Sequence, residues 1–473
     1  MPGDLRSFLE RLEGQGDLLR IKEPVDWNLE LSHVAKLNEE RQGPALLFEN
    51  VPNGSHPRIP VFVSALSTTQ RLAAAFDMPT NSSLSTMARE WVRRTRNPIP
   101  PVTVETGPVK QNIDTGDQVD LYKFPVPFFY EGDGGRFIGT AVSVITKDPD
   151  SGWINLGTYR MQILDGKTCG IQLIKGKHGD MHRAKYAKLQ KPMQIAAVIG
   201  YDPLMFLVSS TLFGAGENEY DYLGALRGSP VEVTRGEYVD LPIPAAAELV
   251  LEGELWPERL REEGPFGEYT GYYSGKGTVP RHYIDVKAVS YRNDMIFHAT
   301  TVGRPVTDTH MIQSMNRTGT LWSQLEAMRV PGIQSVYIPP ESCGRFMAIV
   351  SVKQMYPGHS SHVADAVLGT TTGSYGVKVV VVVDDDIPAD DMGRVLWAMS
   401  TRMAPARGAQ IINRGRSTPL DPSLPIESRD ITGRLILDCC IPYEWNEKPV
   451  DIKLNDAVVE KVLAKWGQYG FPT

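Results

Sequence analysis

The stretch from residue 346 to 413 alternates strand and helix signals, and it constrains the fold of this 473-residue chain more than any other feature. The predicted elements are strands at 346–353, 377–383 and 409–413, with helices at 360–368 and 390–403. Such alternation is typical of a sheet covered by helices. Residues 377–383 are apolar on both faces apart from Lys378, as in an interior strand. An α/β fold is therefore predicted here.

The length of the chain predicts more than one domain, because 473 residues exceed what a single hydrophobic core usually supports. The predicted segments are an N-terminal α/β lobe at 1–135, a strand-rich barrel or folded sheet at 136–304, a linking helix at 305–331, a C-terminal α/β domain at 332–445 and a tail helix at 446–473. Asp4 is expected to cap the first helix. The linking helix is expected to be interrupted around Thr318 and Gly319, and apolar residues at four-residue spacing predict the tail helix.

Charge and composition exclude several classes of function. The net charge is -7, from 49 basic and 56 acidic residues, and no basic run suggests a nucleic-acid partner. The longest apolar runs have the length of a strand and are too short to span a membrane. The first residues predict an amphipathic helix rather than a signal peptide. The four cysteines lack metal-binding spacing and fit a reducing compartment, so a cytoplasmic protein is expected.

Residues 263–268, Glu-Gly-Pro-Phe-Gly-Glu, place two carboxyl groups on either side of a tight turn. Gly264, Pro265 and Gly267 can fix the backbone so that both acids face one cavity. One acid could then stay ionised while the other keeps its proton, which proton delivery at neutral pH requires. Taken alone, the same pattern is also typical of exposed loop acids.

Asn155, His178 and Glu219 carry oxygen and nitrogen donors that would suit manganese or magnesium if the fold brought them together. Their spacing does not require this, since a histidine is often a hydrogen-bonded structural group and Glu219 could begin a helix. His178 and His182 have the spacing of a helical zinc site. Glycine follows His178 where zinc peptidases have glutamate, and the local sequence does not favour a helix, so zinc is not predicted.

The acid turn, with the following Tyr-Thr-Gly-Tyr-Tyr at 269–273, closely resembles the signature of the UbiD-like decarboxylases, which use prenylated FMN to remove carbon dioxide reversibly from unsaturated or aromatic acids. Further blocks in the order of that family are Asp133-Gly-Gly-Arg-Phe-Ile138, Leu226-Arg-Gly228, the segment 244–253 and Val302-Gly-Arg-Pro305. The resemblance covers nearly the whole chain. It implies a split β-barrel that binds flavin at 136–304 and a C-terminal oligomerisation domain, in a homodimer or homohexamer.

The resemblance also implies roles for three residues. Arg160 is expected to pair with Glu263 and to help hold the substrate carboxylate, because a planar guanidinium can form two parallel hydrogen bonds. Glu268 is expected to be the general acid that protonates the carbon left by carbon dioxide, with its pKa raised by a largely apolar pocket. From the residues alone, Arg160 could equally form a salt bridge of no functional interest.

The family likeness implies that Asn155, His178 and Glu219 hold a divalent ion that bridges the protein and the flavin phosphate. The residues expected to contact prenylated FMN are Asn155, Thr158, Tyr159, Arg160, Lys177, His178, Glu219 and Lys378. Potassium is a further ion that the resemblance allows, and a flavin prenyltransferase would supply the cofactor. Lys378 could instead be a strand-end lysine that reaches water.

Two other functions remain open from the sequence. An oxidoreductase with unmodified FMN would consume a nicotinamide and would not need the acid turn. A non-catalytic subunit of a multi-subunit carboxylase would not need to retain all three candidate catalytic residues. The substrate is open among bicyclic heteroaromatic, hydroxyaryl and cinnamic-type acids, with pocket residues expected near Asp308, His310 and Tyr443. For His310, a structural position at a helix start is the favoured interpretation.

Overall fold

The computed structural model describes residues 3–273, 275 and 277–471. Its strands form sheets of four, nine, three and five strands, with helices packed against them. This arrangement confirms the predicted mixed α/β class. Among the described residues, every helix is too short or too polar to cross a lipid bilayer.

The first segment packs helices around the four-stranded sheet. Asp4 caps the first helix as predicted, because its side chain accepts a hydrogen bond from the Ser7 amide at 3.0 Å. The elements are α1 (Leu5–Gly14), β1 (Leu18–Ile21), α2 (Glu30–Glu40), β2 (Ala45–Phe48), β3 (Val61–Val63), α3 (Thr69–Ala75) and α4 (Leu84–Thr95). The sheet order is β1-β2-β3-β16, and β16 (Phe297–His298) is contributed from far along the chain.

Glu39 of α2 is buried where the first segment meets the middle one. Its carboxylate accepts hydrogen bonds from the hydroxyls of Ser64 at 2.8 Å and Thr301 at 2.5 Å. Burial, followed by the nearby Asp308 carboxylate, raises the pKa of Glu39 to about 7. The folded protein therefore binds this proton more tightly than the unfolded chain does.

We expect Glu39 to make the protein less stable at neutral pH than in mild acid. Its contribution to the free energy of unfolding is fully present below its usual pKa of 4.5 and is lost as the pH rises to about 7. Urea unfolding of the wild type and of Glu39→Gln across this range checks the prediction. The wild type should lose stability relative to the variant as the pH rises, and parallel curves would contradict the assignment.

The middle segment forms the nine-stranded sheet and a small three-stranded sheet. Its elements are β4 (Val102–Thr103), β5 (Asn112–Thr115), β6 (Val142–Lys147), β7 (Ile154–Gly157), β8 (Met161–Asp165), β9 (Thr168–Ile171), α5 (His178–Leu189), β10 (Met193–Ile199), α6 (Pro203–Ser209), α7 (Glu219–Arg227), β11 (Glu232–Arg235), β12 (Pro242–Pro244), β13 (Leu249–Leu255), β14 (Leu260–Glu263) and β15 (Val279–Tyr291). The large sheet runs β7-β6-β10-β13-β15-β9-β8, and β5 and β14 also pair with β15.

The long strand β15 joins the two parts of the large sheet. Its first half pairs with β14 and β9, and its second half pairs with β13 and β5. Among the described residues, the outer strands β7 and β8 do not pair with each other, so the sheet is folded and does not close into a barrel. Of the two forms left open by the sequence, the folded sheet is therefore the one observed.

A single helix, α8 (Asp308–Ala327), links the middle and C-terminal segments. The interruption predicted around Thr318 and Gly319 is wrong, because the helix is continuous. A Cβ atom at Gly319 would lie 3.0 Å from the Trp91 ring, so the glycine permits close packing against α4. The Thr318 hydroxyl accepts a hydrogen bond from the Ile338 amide at 3.0 Å, which ties the helix to the next segment.

The C-terminal segment forms a five-stranded sheet, which includes the three strands predicted from its alternating pattern and two further strands, the first and the last of the segment along the chain. Its elements are β17 (Ile333–Tyr337), β18 (Met347–Val352), α9 (His359–Gly369), α10 (Thr371–Ser374), β19 (Val379–Asp384), α11 (Met392–Thr401), α12 (Pro405–Gly408), β20 (Ala409–Arg416) and β21 (Ile431–Asp438). The order is β17-β18-β19-β21-β20, and the three central strands are parallel. The tail contains α13 (Asp456–Leu463), within the range predicted for the tail helix.

Candidate active site

Three charged side chains meet where β8 begins and β14 ends. Arg160 directly precedes β8, Glu263 is the last residue of β14, and Glu268 closes the turn that follows. Arg160 donates from Nε and Nη2 to the two oxygens of Glu263, at 3.0 and 3.2 Å, and from Nη1 to Glu268. Both carboxylates are buried. The fold thus brings together all three residues that the sequence suggested as catalytic.

The contact between Arg160 and Glu268 was not expected from the sequence, which paired the arginine with Glu263 alone. Burial opposes the charge of Arg160, but the attraction of Glu268 and Glu263 outweighs it and raises the pKa of the guanidinium. A further cation, Arg281, lies 3.8 Å from Glu263. Burial, followed by repulsion from Arg160, lowers the pKa of Arg281. The site is therefore a buried charge network in which Arg160 contacts both acids.

Two side chains that the sequence did not assign to the site hold the acid turn. Asp133 accepts a hydrogen bond from the Gly267 amide at 2.8 Å, and Gln162 accepts one from the Gly264 amide at 2.7 Å. Gly264 has a φ of 87°, a conformation that favours glycine. Burial raises the pKa of Asp133 to about 6. Gln162 follows Arg160 by two residues, and strand periodicity could have predicted that both face the same side.

Apolar side chains surround the charged groups, as the sequence predicted. The Arg160 guanidinium lies 4.9 Å from the centre of the Phe266 ring, which in turn packs against Phe137 at 4.4 Å. The surrounding cluster consists of Phe137, Phe266, Tyr269, Val302 and Cys343. Water has little access to this space, so each charge interaction within it is stronger than on the surface.

The three residues suggested as metal ligands also lie together. His178 and Glu219 begin α5 and α7, and the His178 Nδ1 and Glu219 Oε1 atoms are 3.9 Å apart. Glu219 accepts a hydrogen bond from the Leu156 amide at 2.8 Å through its other oxygen, which places it beside Asn155. Asn155 and Glu219 are buried. One imidazole nitrogen and two side-chain oxygens form a donor set that fits manganese or magnesium.

The interpretation of 178–189 as non-helical is wrong, because these residues form α5. Polar side chains dominate the helix, so it carries little of the apolar periodicity that predicts helices. His178 and His182 pack edge-on against Trp153, at 4.8 and 4.9 Å. Across the part of the chain that the structure describes, no three His, Cys, Asp or Glu side chains form a group that could hold a metal. The zinc alternative therefore lacks further ligands.

Thr158 and Tyr159 lie between β7 and β8 and are tied to neighbouring helices. The Tyr159 hydroxyl accepts a hydrogen bond from the Gly179 amide of α5 at 3.0 Å. A Cβ atom at Gly179 would lie 2.8 Å from the Tyr159 hydroxyl, so this position requires glycine. The Thr158 hydroxyl is 2.9 Å from the hydroxyls of Ser209 and Ser210. Lys177 directly precedes α5 and the suggested metal ligand His178.

Lys378 precedes β19 and is engaged within the C-terminal segment. Its ammonium donates to Asp421 at 3.0 Å and to Ser423 at 3.1 Å, and it lies 4.6 Å from the centre of the Phe346 ring. Phe346 packs against the apolar cluster of the acid turn. The lysine therefore stands close to this cluster, with its charge compensated by Asp421.

His310, at the start of α8, has a structural position. Its Nδ1 atom accepts a hydrogen bond from the Thr307 amide at 3.0 Å, and its Nε2 atom donates to the Tyr269 carbonyl at 2.6 Å. This arrangement requires a neutral ring, and burial lowers the pKa of His310 to about 4. The neighbouring Asp308 accepts hydrogen bonds from the amides of Ala65 and Leu66. Together these residues tie α8 to the first segment and to the acid turn.

Family models for the N-terminal, Rift-related and C-terminal domains of 3-octaprenyl-4-hydroxybenzoate carboxy-lyase match residues 9–91, 101–305 and 310–439. An uncharacterized protein from Archaeoglobus fulgidus is 34% identical, and the match covers 98% of both chains. The blocks identified in the sequence all lie within the residues that the Rift-related model matches.

Several solved structures are similar to this chain. The UbiD-class enzyme HmfF from Pelotomaculum thermopropionicum, solved in complex with FMN, is 30% identical with a TM-score of 0.88, over 98% of this chain and 100% of that one. Vanillic acid decarboxylase from Sedimentibacter hydroxybenzoicus, in its open form, is 30% identical with a TM-score of 0.88, over 98% and 99%. The 3,4-dihydroxybenzoic acid decarboxylase of Klebsiella pneumoniae is 26% identical with a TM-score of 0.84, over 97% and 99%. The chain therefore belongs to the UbiD family and is a carboxy-lyase.

Proposed function

We propose that this chain catalyses the reversible, non-oxidative decarboxylation of an aromatic, heteroaromatic or α,β-unsaturated carboxylic acid, with prenylated FMN as its cofactor. The observation that carries the proposal is the contact of Arg160 with both Glu263 and Glu268 inside an apolar cluster. The similarity to enzymes solved as decarboxylases and with FMN or prenylated FMN supports it. When bound, the prenylated flavin supplies the electrophile that takes up the electrons of the breaking carbon–carbon bond.

Arg160 binds the substrate carboxylate in this proposal, and that binding changes its contacts with the two acids. Three of its five N–H groups already donate to the two acids, so a substrate carboxylate competes with these acids for the same cation. Glu263 is held through two nitrogens of Arg160 and Glu268 through Nη1, so we expect Glu268 to be the acid that is released. Release from Arg160 removes a cation that favours the ionised form of this buried carboxylate, which then takes up a proton from water. Glu268 then donates this proton to the carbon that carried the carboxyl group.

We assign the cofactor site to residues on β7, between β7 and β8, at the starts of α5 and α7, and directly before β19. Its members are Asn155, Thr158, Tyr159, Arg160, Lys177, His178, Glu219 and Lys378. Asn155, His178 and Glu219 would hold manganese or magnesium, which neutralises the flavin phosphate within a buried site, and potassium would be an additional ion. The 3.9 Å separation of His178 and Glu219 supports the shared ion. Lys378 would reach the cofactor by extending from its ion pair with Asp421.

Glu219→Gln is expected to lower the metal content and the flavin retention of the purified protein roughly tenfold or more. The amide keeps the size of the side chain and can still accept the hydrogen bond from Leu156, but it lacks the negative charge that attracts a divalent ion. Elemental analysis and flavin absorbance measure the two quantities. The matched control is Glu217→Gln, at an exposed acid two residues earlier. Equal metal and flavin in both variants would contradict the assignment of Glu219.

Coexpression with a flavin prenyltransferase, the proposed cofactor supplier, tests the function. The purified protein is incubated with a panel of hydroxyaryl, heteroaromatic and acrylic acids, and carbon dioxide release and deuterium exchange into the products are measured. We expect both with at least one acid, and neither from protein made without the prenyltransferase. Oxidation of a nicotinamide without carbon dioxide release would indicate an oxidoreductase, and inactivity in every assay would indicate a non-catalytic subunit.

We further propose a cytoplasmic homodimer or homohexamer. All four cysteines are buried free thiols, as in proteins of reducing compartments. The tail exposes large apolar side chains, among them Val450 at 93%, Ile452 at 97% and Leu454 at 81% of their surface, which favours coverage by another copy. The molar mass in solution, determined by light scattering, tests the assembly.

A further inference from the structure

Three arginines lie beside the acid turn and form what we term the cation cluster: Arg317, Arg345 and Arg416. They come from different elements, since Arg317 lies on α8, Arg345 precedes β18 and Arg416 ends β20. Within residues 3–273, 275 and 277–471, none of the three forms an ion pair with a carboxylate. A group of cations without counter-charges in one place indicates a site for an anion.

Aromatic rings hold two members of the cation cluster in place. The Arg345 guanidinium lies 5.6 Å from the centre of the Tyr269 ring and 5.3 Å from that of Tyr375. The Arg416 guanidinium lies 4.5 Å from the centre of the same Tyr375 ring. Arg345 also donates to the side-chain oxygen of Gln313 at 3.2 Å. These contacts orient the guanidinium groups without neutralising them.

The cations repel one another. Burial, followed by the charge of Arg345, lowers the pKa of Arg317 to about 9. Arg416 shares the Tyr375 ring with Arg345. The three groups therefore act on a common volume, and an anion bound there would relieve the repulsion between them.

Tyr269 supplies an independent observation at the same place. This residue directly follows Glu268 and is only 7% exposed, yet its hydroxyl has no hydrogen-bond partner among the described residues. Buried hydroxyls are normally hydrogen-bonded, so an unpartnered one indicates a ligand position. After burial, the strongest influences on the pKa of Tyr269 are the charges of Arg345 and Arg317. The hydroxyl and the cations thus serve the same volume.

We propose that the cation cluster and the Tyr269 hydroxyl bind a second anionic group of the substrate, a carboxylate or a phosphate. The inference rests on the proposed function, in which Arg160 binds the carboxylate that reacts. A substrate with only one carboxylate would leave the cations uncompensated beside the proton donor, at a cost in binding energy. The substrate class is therefore an aromatic or unsaturated acid that carries a further acidic substituent.

The phosphate of the flavin is the other anion that could occupy this place. The residues suggested to hold its metal ion lie on β7, α5 and α7. The three cations come instead from α8 and the C-terminal segment, and two of them, Arg345 and Arg317, act on Tyr269, next to Glu268. This distribution favours the substrate over the flavin phosphate as the anion that the cluster binds. Because the flavin is the alternative, the flavin content of each variant is also measured.

The test uses the full chain loaded with FMN. Calorimetry measures the binding of benzoate, terephthalate and 4-phosphonobenzoate to the wild type, Arg317→Met, Arg416→Met and the control Arg414→Met, which changes an exposed arginine on the same strand as Arg416. In the wild type and the control, at least one dianion should bind about tenfold more tightly than benzoate. A preference for terephthalate identifies a carboxylate as the second group, and a preference for 4-phosphonobenzoate identifies a phosphate.

The variants decide whether the cation cluster is responsible. The preference for the dianion should fall to about threefold or less in Arg317→Met and in Arg416→Met, and the exposed position of Arg416 keeps the test usable if Arg317→Met does not fold. Equal binding of benzoate and both dianions by the wild type overturns the proposal. Loss of FMN from both variants also overturns it, by assigning the cluster to the cofactor. If the enzyme decarboxylates monoacids and shows no preference for dianions, the second anion site is contradicted and the proposed function stands. If it is inactive on every acid, the proposed function is contradicted, and the binding measurements still report on the anion site.

Discussion

Glu268→Gln is expected to reduce decarboxylation by roughly 10²- to 10⁴-fold, the range that a positioned proton donor contributes. Glutamine has the same size and can still accept the hydrogen bond from Arg160 Nη1, but it has no acidic proton to give. Flavin and metal contents should remain those of the wild type, since the substitution keeps the size of the side chain and its contact with Arg160. Initial rates on the best acid of the panel, with flavin absorbance for cofactor content, measure the effect.

The matched control for this variant is Glu262→Gln. Glu262 lies on the same strand as Glu263, but its side chain is exposed, so its replacement should leave the rate unchanged. If Glu268→Gln retained the activity of the control, another group would have to deliver the proton. Deuterium exchange into the product tests the proton-transfer step directly. A variant that lacks only the proton donor should lose this exchange together with turnover.

Arg160→Met is expected to lower the free energy of unfolding by roughly 3–5 kcal/mol, the usual effect of removing one partner from a buried ion pair. Glu263 is 0% exposed, and among the described residues it would retain only Arg281, at 3.8 Å, as a cation within ion-pair distance. Activity should fall as well, because the variant lacks the donor for the substrate carboxylate. Urea unfolding measures the stability. Adding Glu263→Gln to Arg160→Met should recover part of the loss, since the uncompensated charge is then removed.

An exposed pair nearby provides the comparison. Arg261 donates to Asp165 at 2.5 Å, but both side chains are substantially exposed, so Arg261→Met should cost no more than about 1 kcal/mol. Similar losses in the Arg160 and Arg261 variants would show that burial does not strengthen the charge network. A rescue that fails in the double variant would show that lost packing, rather than the charge of Glu263, causes the instability.

Much of the fold follows from local patterns that the sequence displays. Asp4 caps α1 as predicted, and the alternation in the C-terminal segment becomes a sheet with parallel central strands. The two errors have separate causes. Gly319 was interpreted as a break because its packing partner, Trp91, is remote in the sequence. The helix α5 was missed because its stability does not depend on a regular apolar stripe.

The candidate site was predictable as a set of residues but not as a network. The acid turn keeps Glu263 and Glu268 close by local geometry, whereas the contact of Arg160 with both depends on how β14 and β8 are arranged around β9 and β15. The supporting contacts of Asp133 and Gln162 involve backbone amides, which leave no mark in side-chain patterns. No basic run in the sequence indicates the cation cluster, because its members are widely separated along the chain.

The pairing of β16 with β3 has a consequence for the order in which the protein can be made. Phe297 lies beside Val61, so the first sheet cannot be completed until the ribosome has passed the entire middle segment. At ordinary rates of synthesis this imposes a delay on the order of tens of seconds. The N-terminal lobe is therefore expected to emerge as an incomplete intermediate with an open edge at β3. Chimaeras between relatives should accordingly exchange both strands together, since a junction between them would join halves of one sheet from different parents.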